Sequence, residues 1–226
     1  MAKTYRIGTR TSPLALRQVE EILEVLRKFY PDFKAVVIGI DTYGDKDKDT
    51  PISQIEGTDF FTKEIDEALL NSRIDFAVHS AKDLPDTLKE GLIIAALTNS
   101  IDPYDALLSK DGLKLAELSN GARIGTSSLR RKTQLRKYRD DFDIVDIRGN
   151  IEERLKRLDT GDLDAIVIAA SGLVRLGLEK RITERIPFEI LKPHPLQGAL
   201  AIVVKAGDLK LHSLFSVIDS QEVVLL

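Results

Sequence analysis

Asp75 to Pro85 reads DFAVHSAKDLP, and no other stretch constrains the fold as tightly. Phe76, Ala77 and Val78 are an unbroken apolar run, the pattern of a strand covered on both faces. A strand covered on both faces calls for α/β layering. Asp164 to Ala170 (DAIVIAA) makes the same demand later in the chain. The first run leads directly into a polar turn, His79, Ser80, Lys82 and Asp83, closed by Pro85. In open α/β sheets, ligands lie beyond the carboxyl ends of strands. An Asp beside a Lys at that position can exchange protons with a substrate or stabilise a cation. The alternative is a polar loop that only closes the strand.

The rest of the chain repeats the alternation. Tyr5–Thr9 reads as a strand. Ser12-Pro13 then supplies a cap and a first-turn proline for a helix. Val19, Ile22, Leu23, Leu26 and Phe29 recur at helical spacing as far as Tyr30-Pro31. Phe33–Ile40 is a second strand, and strand–helix–strand predicts parallel pairing. Asp41–Thr58 is long, charged and without apolar period, which reads either as a lid or as a surface loop. Phe60–Leu70 is expected to be helical and Leu92–Leu97 a strand. A similar pattern starts again after Asn99–Tyr104. It gives strands at Ala106–Leu108, Ala122–Gly125, Asp143–Ile147 and Asp164–Ala170. Helices are expected from Leu129, over Ile151–Leu158 and over Ser171–Leu178. Pro193–Gly198 is a second crossing, Ala199–Val204 a strand able to rejoin the first sheet, and His212–Leu226 helical in spacing. The expected architecture is two α/β domains with mixed, mainly parallel sheets. They are residues 1–98 with 199–216, and residues 104–193, joined by two hinge crossings around a ligand cleft.

Composition removes several function classes. Net charge is −3, which disfavours nucleic acid and anionic membranes as partners. Cysteine is absent from the 226 residues, excluding thiolate catalysis and thiolate metal sites in this chain. His79, His194 and His212 are too far apart in sequence to suggest a metal site, and none is expected. The N-terminus lacks an apolar signal core, and no run approaches the roughly 18 apolar residues of a membrane span. A cytoplasmic monomer is expected.

Arginine is distributed unevenly: 11 of 16 fall between Arg123 and Arg185. Thr126-Ser127-Ser128-Leu129-Arg130-Arg131 is the strongest anion signal. Helix-start N–H groups, hydroxyls and two guanidinium groups converge there. Arg148-Gly149-Asn150 follows a strand end, Arg154 lies one to two turns later, and Arg10 follows the first strand. A capped helix with surface arginines is the competing reading. Several strand ends carrying arginine, and one carrying Lys82-Asp83, suggest a ligand with several carboxylates held near one acid.

Six segments carry a family resemblance: TRTSPLAL (Thr9–Leu16), FFTKEIDEALL (Phe60–Leu70), AVHSAKDLP (Ala77–Pro85), GTSSLRR (Gly125–Arg131), IRGN (Ile147–Asn150) and SGLVRLGL (Ser171–Leu178). In this order they resemble porphobilinogen deaminase, also called hydroxymethylbilane synthase. The resemblance implies two domains like those of type II periplasmic binding proteins, with a third small domain after residues 217–226. It implies a transferase of haem and porphyrin biosynthesis. Such an enzyme joins four porphobilinogen units head to tail with loss of ammonia, on a dipyrromethane cofactor. By the same resemblance Asp83 is the catalytic acid. Ser80, Lys82, Thr126, Ser128, Arg130, Arg131 and Arg154 would bind the cofactor. Arg10, Ser12, Gln18, Arg148 and Arg175 would bind substrate or growing chain.

Two features depart from the family. The cofactor is normally held by a cysteine of the third domain, and this chain has none. A thioether within it is therefore impossible, and the cofactor would be absent or non-covalent unless a separate third domain takes part. The lid segment Gln54–Asp59 lacks the lysines expected at Gln54 and Thr58, although Lys63 remains. A non-catalytic binding protein for a pyrrole or other polycarboxylate is the alternative function.

Overall fold

A computed structural model describes residues 3–47 and 58–220. The chain divides into two compact units. Within the described residues, the first comprises 3–47, 58–100 and 198–220, and the second 101–197.

In the first unit, β1 (Thr4–Thr9) leads into helix α1 (Pro13–Phe29). Ser12 caps it by accepting the Ala15 amide at 3.3 Å, and Pro13 occupies the first turn, where a missing N–H costs nothing. Val19, Ile22, Leu23 and Leu26 are its buried face. Tyr30 leaves helical geometry just before Pro31. Next come β2 (Lys34–Gly39), the short helix α2 (Tyr43–Lys46), α3 (Lys63–Leu70), β3 (Phe76–Ser80) and β4 (Leu92–Leu97). The late strand β10 (Leu200–Lys205) and α7 (Leu209–Phe215) complete the unit. The sheet order is β2-β1-β3-β10-β4. β3 is central, with β1 parallel on one side and β10 antiparallel on the other. Phe76, Val78, Ile202 and Val204 pack under α1 and α7, and Ala77 and Val203 pack under α3.

The second unit has the same plan. β5 (Asp105–Ser109), β6 (Arg123–Gly125), α4 (Leu129–Tyr138), β7 (Asp143–Val145), α5 (Ile151–Asp159), β8 (Ala165–Ala169), α6 (Ala170–Arg175) and β9 (Glu184–Ile186) follow in order. The sheet order is β7-β6-β8-β5-β9, again with a parallel neighbour and an antiparallel neighbour on the central strand. Val167 and Ile166 of β8 face opposite cores.

Both sheets are mixed. Among the described residues each has two parallel and two antiparallel pairings, an even split rather than a parallel majority. The reason is that strands arriving by a crossing, such as β10 from the second unit, need not follow the βαβ rule.

Several boundaries differ from expectation. α3 starts at Lys63, not Phe60, because Thr62 and Lys63 both donate to the Asp59 carbonyl and the Phe60 and Phe61 rings pack edge to face in a turn. α6 begins at Ala170 and stops at Arg175, with Gly177 in positive φ just after. α7 starts earlier than His212, because the Asp208 carboxylate caps it through the Leu211 amide. Within the expected lid, Tyr43–Lys46 is helical, and residues 48–57, which include Gln54, lie outside the described residues. Residues 221–226 of the expected tail also lie outside them.

Candidate functional site

In the first unit β3 delivers the turn that dominated the sequence. Ser80 ends the strand, and Ala81–Asp83 make one 3-10 turn in which the Leu84 amide donates to the Ala81 carbonyl. A small pocket of about 50 Å³ opens beside this turn. Arg10, Ser12, Gln18, Ser80 and Asp83, all singled out from the sequence, line it. Lys82 shares the turn but not the pocket wall.

The local roles of these side chains are specific. Gln18, buried on α1, donates from Nε2 to Ser80 Oγ at 2.8 Å, so the helix fixes the strand-end hydroxyl. Ser12 Oγ accepts the Ala15 amide at 3.3 Å and so caps α1 while keeping its hydroxyl proton to donate. Arg10 donates from Nε to Asp45 at 3.0 and 3.2 Å and from Nη2 to the same carboxylate. Its guanidinium carbon lies 4.6 Å over the Phe61 ring. Burial tends to raise the Asp45 pKa, but Arg10 and the Thr42 hydroxyl and amide outweigh it, and the carboxyl lies below its usual range.

His79, also in the pocket wall, was not assigned a role by sequence reasoning. Burial, with the charge of Arg10 acting in the same sense, pushes its imidazole down to about 4, so it is neutral near pH 7. Its buried Nε2 has no hydrogen-bond partner among the described residues. Only its position in an apolar strand signalled this.

In the second unit the arginines and hydroxyls cluster beyond the carboxyl ends of β6, β7 and β8. Thr126 follows β6 and is fully buried, and its Oγ1 has no partner among the described residues. Ser127 Oγ donates to the Ile147 carbonyl at 2.5 Å and accepts the Ile147 amide at 2.8 Å, joining the β6 and β7 ends. Ser128 opens α4.

Arg130 and Arg131 do not project as two independent cations. Arg131 places Nε and Nη2 at 2.9 and 2.6 Å from one oxygen of Asp105, and Arg130 Nη2 is 2.7 Å from the other. Gln197 Nε2 completes the cluster at 3.0 Å from Asp105. Asp105 is fully buried. Burial alone would raise its pKa, but the two guanidinium groups reverse that and hold it ionised. Two arginines on one carboxylate leave a net positive charge. Arg148 and Arg154 are half-buried at the β7 end, with Arg154 Nε donating to the Gly149 carbonyl at 2.9 Å. Arg175 is buried at the end of α6.

Two guanidinium groups on one carboxylate, and a buried Thr126 hydroxyl without a partner among the described residues, fit a ligand that carries carboxylates. Sequence reading missed Asp45 and Asp105, because an acid's partner is set by tertiary contact, not spacing.

Solved structures with this fold include a putative methionine-binding lipoprotein from Bacillus subtilis. It has a TM-score of 0.57 at 14% identity, over 98% of this chain and 92% of that one. The regulatory domain of an OxyR2 mutant from Vibrio vulnificus gives 0.54 at 12% identity, over 96% and 94%. At these identities the likeness concerns the fold, that of periplasmic binding proteins. Sequence relatives are far nearer. Porphobilinogen deaminase of Xanthomonas axonopodis pv. citri is 45% identical over 96% of this chain and 71% of its own. That of Syntrophotalea carbinolica is 47% identical over 92% and 66%, and that of Desulforamulus reducens 45% over 98% and 72%. The chain thus spans about seven-tenths of the length of these relatives. The profile described as "Porphobilinogen deaminase, dipyromethane cofactor binding domain" matches residues 5–213. With nearly its whole length matched by that profile, and the strand-end acid and arginines in place, the chain belongs to the porphobilinogen deaminase family.

Proposed function

We propose that the two units bind porphobilinogen and a dipyrromethane and carry out the condensation of pyrrole units with release of ammonia. The single observation that carries this reading is the pocket at the end of β3. There Asp83 shares a wall with Arg10, Ser12, Gln18 and Ser80. A carboxylate beside a guanidinium and hydroxyl donors can hold a ligand acid group while the carboxylate meets a cationic or proton-bearing nitrogen.

Asp83 is the group we assign to proton movement and to stabilising positive charge on the substrate. Arg10, Ser12 and Gln18 hold substrate carboxylates, and Arg148 and Arg175 those of the growing chain. Thr126, Ser128, Arg130, Arg131 and Arg154 of the second unit hold the dipyrromethane. When bound, a dipyrromethane supplies the pyrrole terminus to which the next unit is joined. This chain has no cysteine, so no thioether can link that group to it. Within these 226 residues we propose that the group is held by non-covalent contacts alone. Among the described residues no helix is long and apolar enough to cross a membrane. We infer a monomer working in the cytoplasm, which gel filtration and cell fractionation test.

The decisive assay is incubation with porphobilinogen, followed by oxidation and measurement of uroporphyrin. It is run with and without the C-terminal part of a relative supplied as a separate chain. No product in either arm refutes the enzymatic reading and leaves the binding-protein alternative. Asp83→Asn is expected to abolish turnover while keeping dipyrrole binding, and equal loss of both would make Asp83 structural. Mass measurement and an aldehyde colour reagent show whether purified protein carries a dipyrrole.

A further inference from the structure

We propose that Asp45 is the positioning residue for Arg10, a dedicated internal partner that aims the guanidinium at the ligand without touching the ligand itself. The proposal rests on the reading of Arg10 as a carboxylate-holding residue.

The geometry is over-determined. Asp45 engages the Nε–Nη2 edge of Arg10 side-on, with two Nε contacts at 3.0 and 3.2 Å and an Nη2 contact to Oδ1. Its own orientation is fixed from behind, because Oδ2 accepts the Thr42 amide at 3.1 Å and the Thr42 hydroxyl at 2.8 Å. Thr42 is fully buried. The face of the guanidinium lies on Phe61. One edge and one face are thereby occupied, and Nη1 makes no hydrogen bond to a described residue. Arg10 and Phe61 line the pocket that contains Asp83, whereas Asp45 does not. The carboxylate therefore lies outside the space a ligand would take.

The segment bearing Asp45 is itself pinned. The Tyr43 amide donates to Glu64 Oε1 at 3.0 Å, and the Gly44 amide to the Phe60 carbonyl at 3.2 Å. A Cβ on Gly44 would stand 2.4 Å from the Phe61 ring and 2.7 Å from that of Phe60, so only glycine allows this approach. An arginine is a long side chain that loses much rotamer freedom when it binds a carboxylate. Holding it beforehand removes that cost from the binding step. The held edge is the bidentate one, so Nη1 is left to meet the ligand end-on.

The test is a double-mutant cycle on affinity. Porphobilinogen is titrated calorimetrically into the 226-residue chain and into Asp45→Asn, Arg10→Ala and the double variant. Asp45→Asn is expected to weaken binding about tenfold, the scale on which partners of a ligand-holding side chain act. Arg10→Ala is expected to weaken it at least as much. In the Arg10→Ala background, Asp45→Asn should add nothing. Unchanged or tighter binding in Asp45→Asn overturns the proposal, since Asp45 would then compete with ligand or do nothing. A loss of the same factor in both backgrounds also overturns it, since Asp45 would then act on the fold alone. If Arg10→Ala binds like the parent, the assignment of Arg10 fails and the proposal fails at its premise. The proposed pyrrole chemistry is tested separately by product formation.

A second readout needs no ligand. The Nε–H resonance of Arg10 should be protected from solvent exchange in the parent and lost in Asp45→Asn while that variant remains folded. A resonance unprotected in the parent refutes the clamp. Should Asp45→Asn not fold, Asp45→Glu, which keeps the charge but displaces the carboxylate from Thr42, carries the same measurements with the same expected signs.

Discussion

The two units begin from one phrase, Arg-Ile-Gly-Thr, at Arg6–Thr9 and again at Arg123–Thr126. The likeness continues in three dimensions. The Arg6 amide donates to Asp75 Oδ2 at 2.7 Å and the Arg123 amide to Asp164 Oδ2 at 2.8 Å. Ile7 pairs with Phe76, and Ile124 with Ala165. Gly8 and Gly125 each lie under an apolar residue of the turn before the central strand, Ile74 and Leu163. Even the turn after the preceding helix agrees: Ser72 and Gly161 both have positive φ, 55° and 80°.

The differences are chemical. The first unit's central strand leads to Lys82 and Asp83, where the second has Ser171 and Gly172. The first unit's arginine meets its acid near the surface, with side-chain exposures of 27% for Arg10 and 20% for Asp45. The second unit buries Asp105 completely under two arginines. On the first unit's α3 a buried Asp66 stands where α5 of the second unit has Leu155. One backbone plan thus carries two kinds of acid–arginine cluster, a shallow one and one built on a buried carboxylate.

Four experiments can break or sharpen this contrast. The largest effect is expected for Asp105→Asn, which leaves two guanidinium groups without their buried counter-charge and should cost about 3–5 kcal/mol. Asp45→Asn, at a more solvated pair, should cost less than about 1 kcal/mol. Equal losses in urea unfolding would show that the two acid–arginine clusters are not different in kind.

Gly8→Ala and Gly125→Ala should each cost about 1–3 kcal/mol through overpacking. Gly125→Ala is expected to be the worse. Its Cβ would meet both Leu163 at 2.7 Å and Ile147 at 2.9 Å, so two side chains must move, whereas that of Gly8 would meet Ile74 alone, closely, at 2.2 Å from its terminal methyl. The reverse ranking would mean that the second unit is the more plastic.

Asp66 gives a pH test. Burial raises its pKa from 3.8 to about 6, against the pull of the Thr62 hydroxyl. The folded state therefore favours the protonated form. That stability is present below the unfolded pKa and is lost as pH rises from near 4 through about 6. Asp66→Asn should melt higher than the parent in alkaline buffer and about equally in acid buffer below about pH 4. A constant difference across the range would remove the titration of Asp66 as its cause.

The smallest effect concerns the positive-φ turn. Ser72→Gly should be neutral or stabilising by up to about 1 kcal/mol, because glycine adopts that backbone without strain. It forfeits only the exposed Lys205–Ser72 bond. Gly161→Ser should cost about 1 kcal/mol. If Ser72→Gly is clearly destabilising, the two turns are not equivalent.

Much of this was legible in the residues. Ser12-Pro13 announced α1 because a cap and a proline act on the backbone beside them. Phe76–Val78 and Ala165–Ala169 announced central strands because burial on both faces leaves no room for polar alternation. Asp83 and the arginines after β6 and β7 could be singled out as candidates because strands in such sheets expose the residues just beyond their carboxyl ends. The start of α3 was misjudged because the Phe60 and Phe61 rings have apolar character at helical spacing, yet pack as a turn against Gly44.

The sequence by itself determined the central strands, the caps and the family, since these depend on local geometry and on motifs; the three-residue strand β9 at Glu184–Ile186 left no apolar signal long enough to read. Only the tertiary structure decided which acid each arginine meets. Asp45 lies 35 residues from Arg10, and Asp105 lies 26 from Arg131. Ion pairs across such distances follow from where strands and helices bring their ends, and no residue pattern records that.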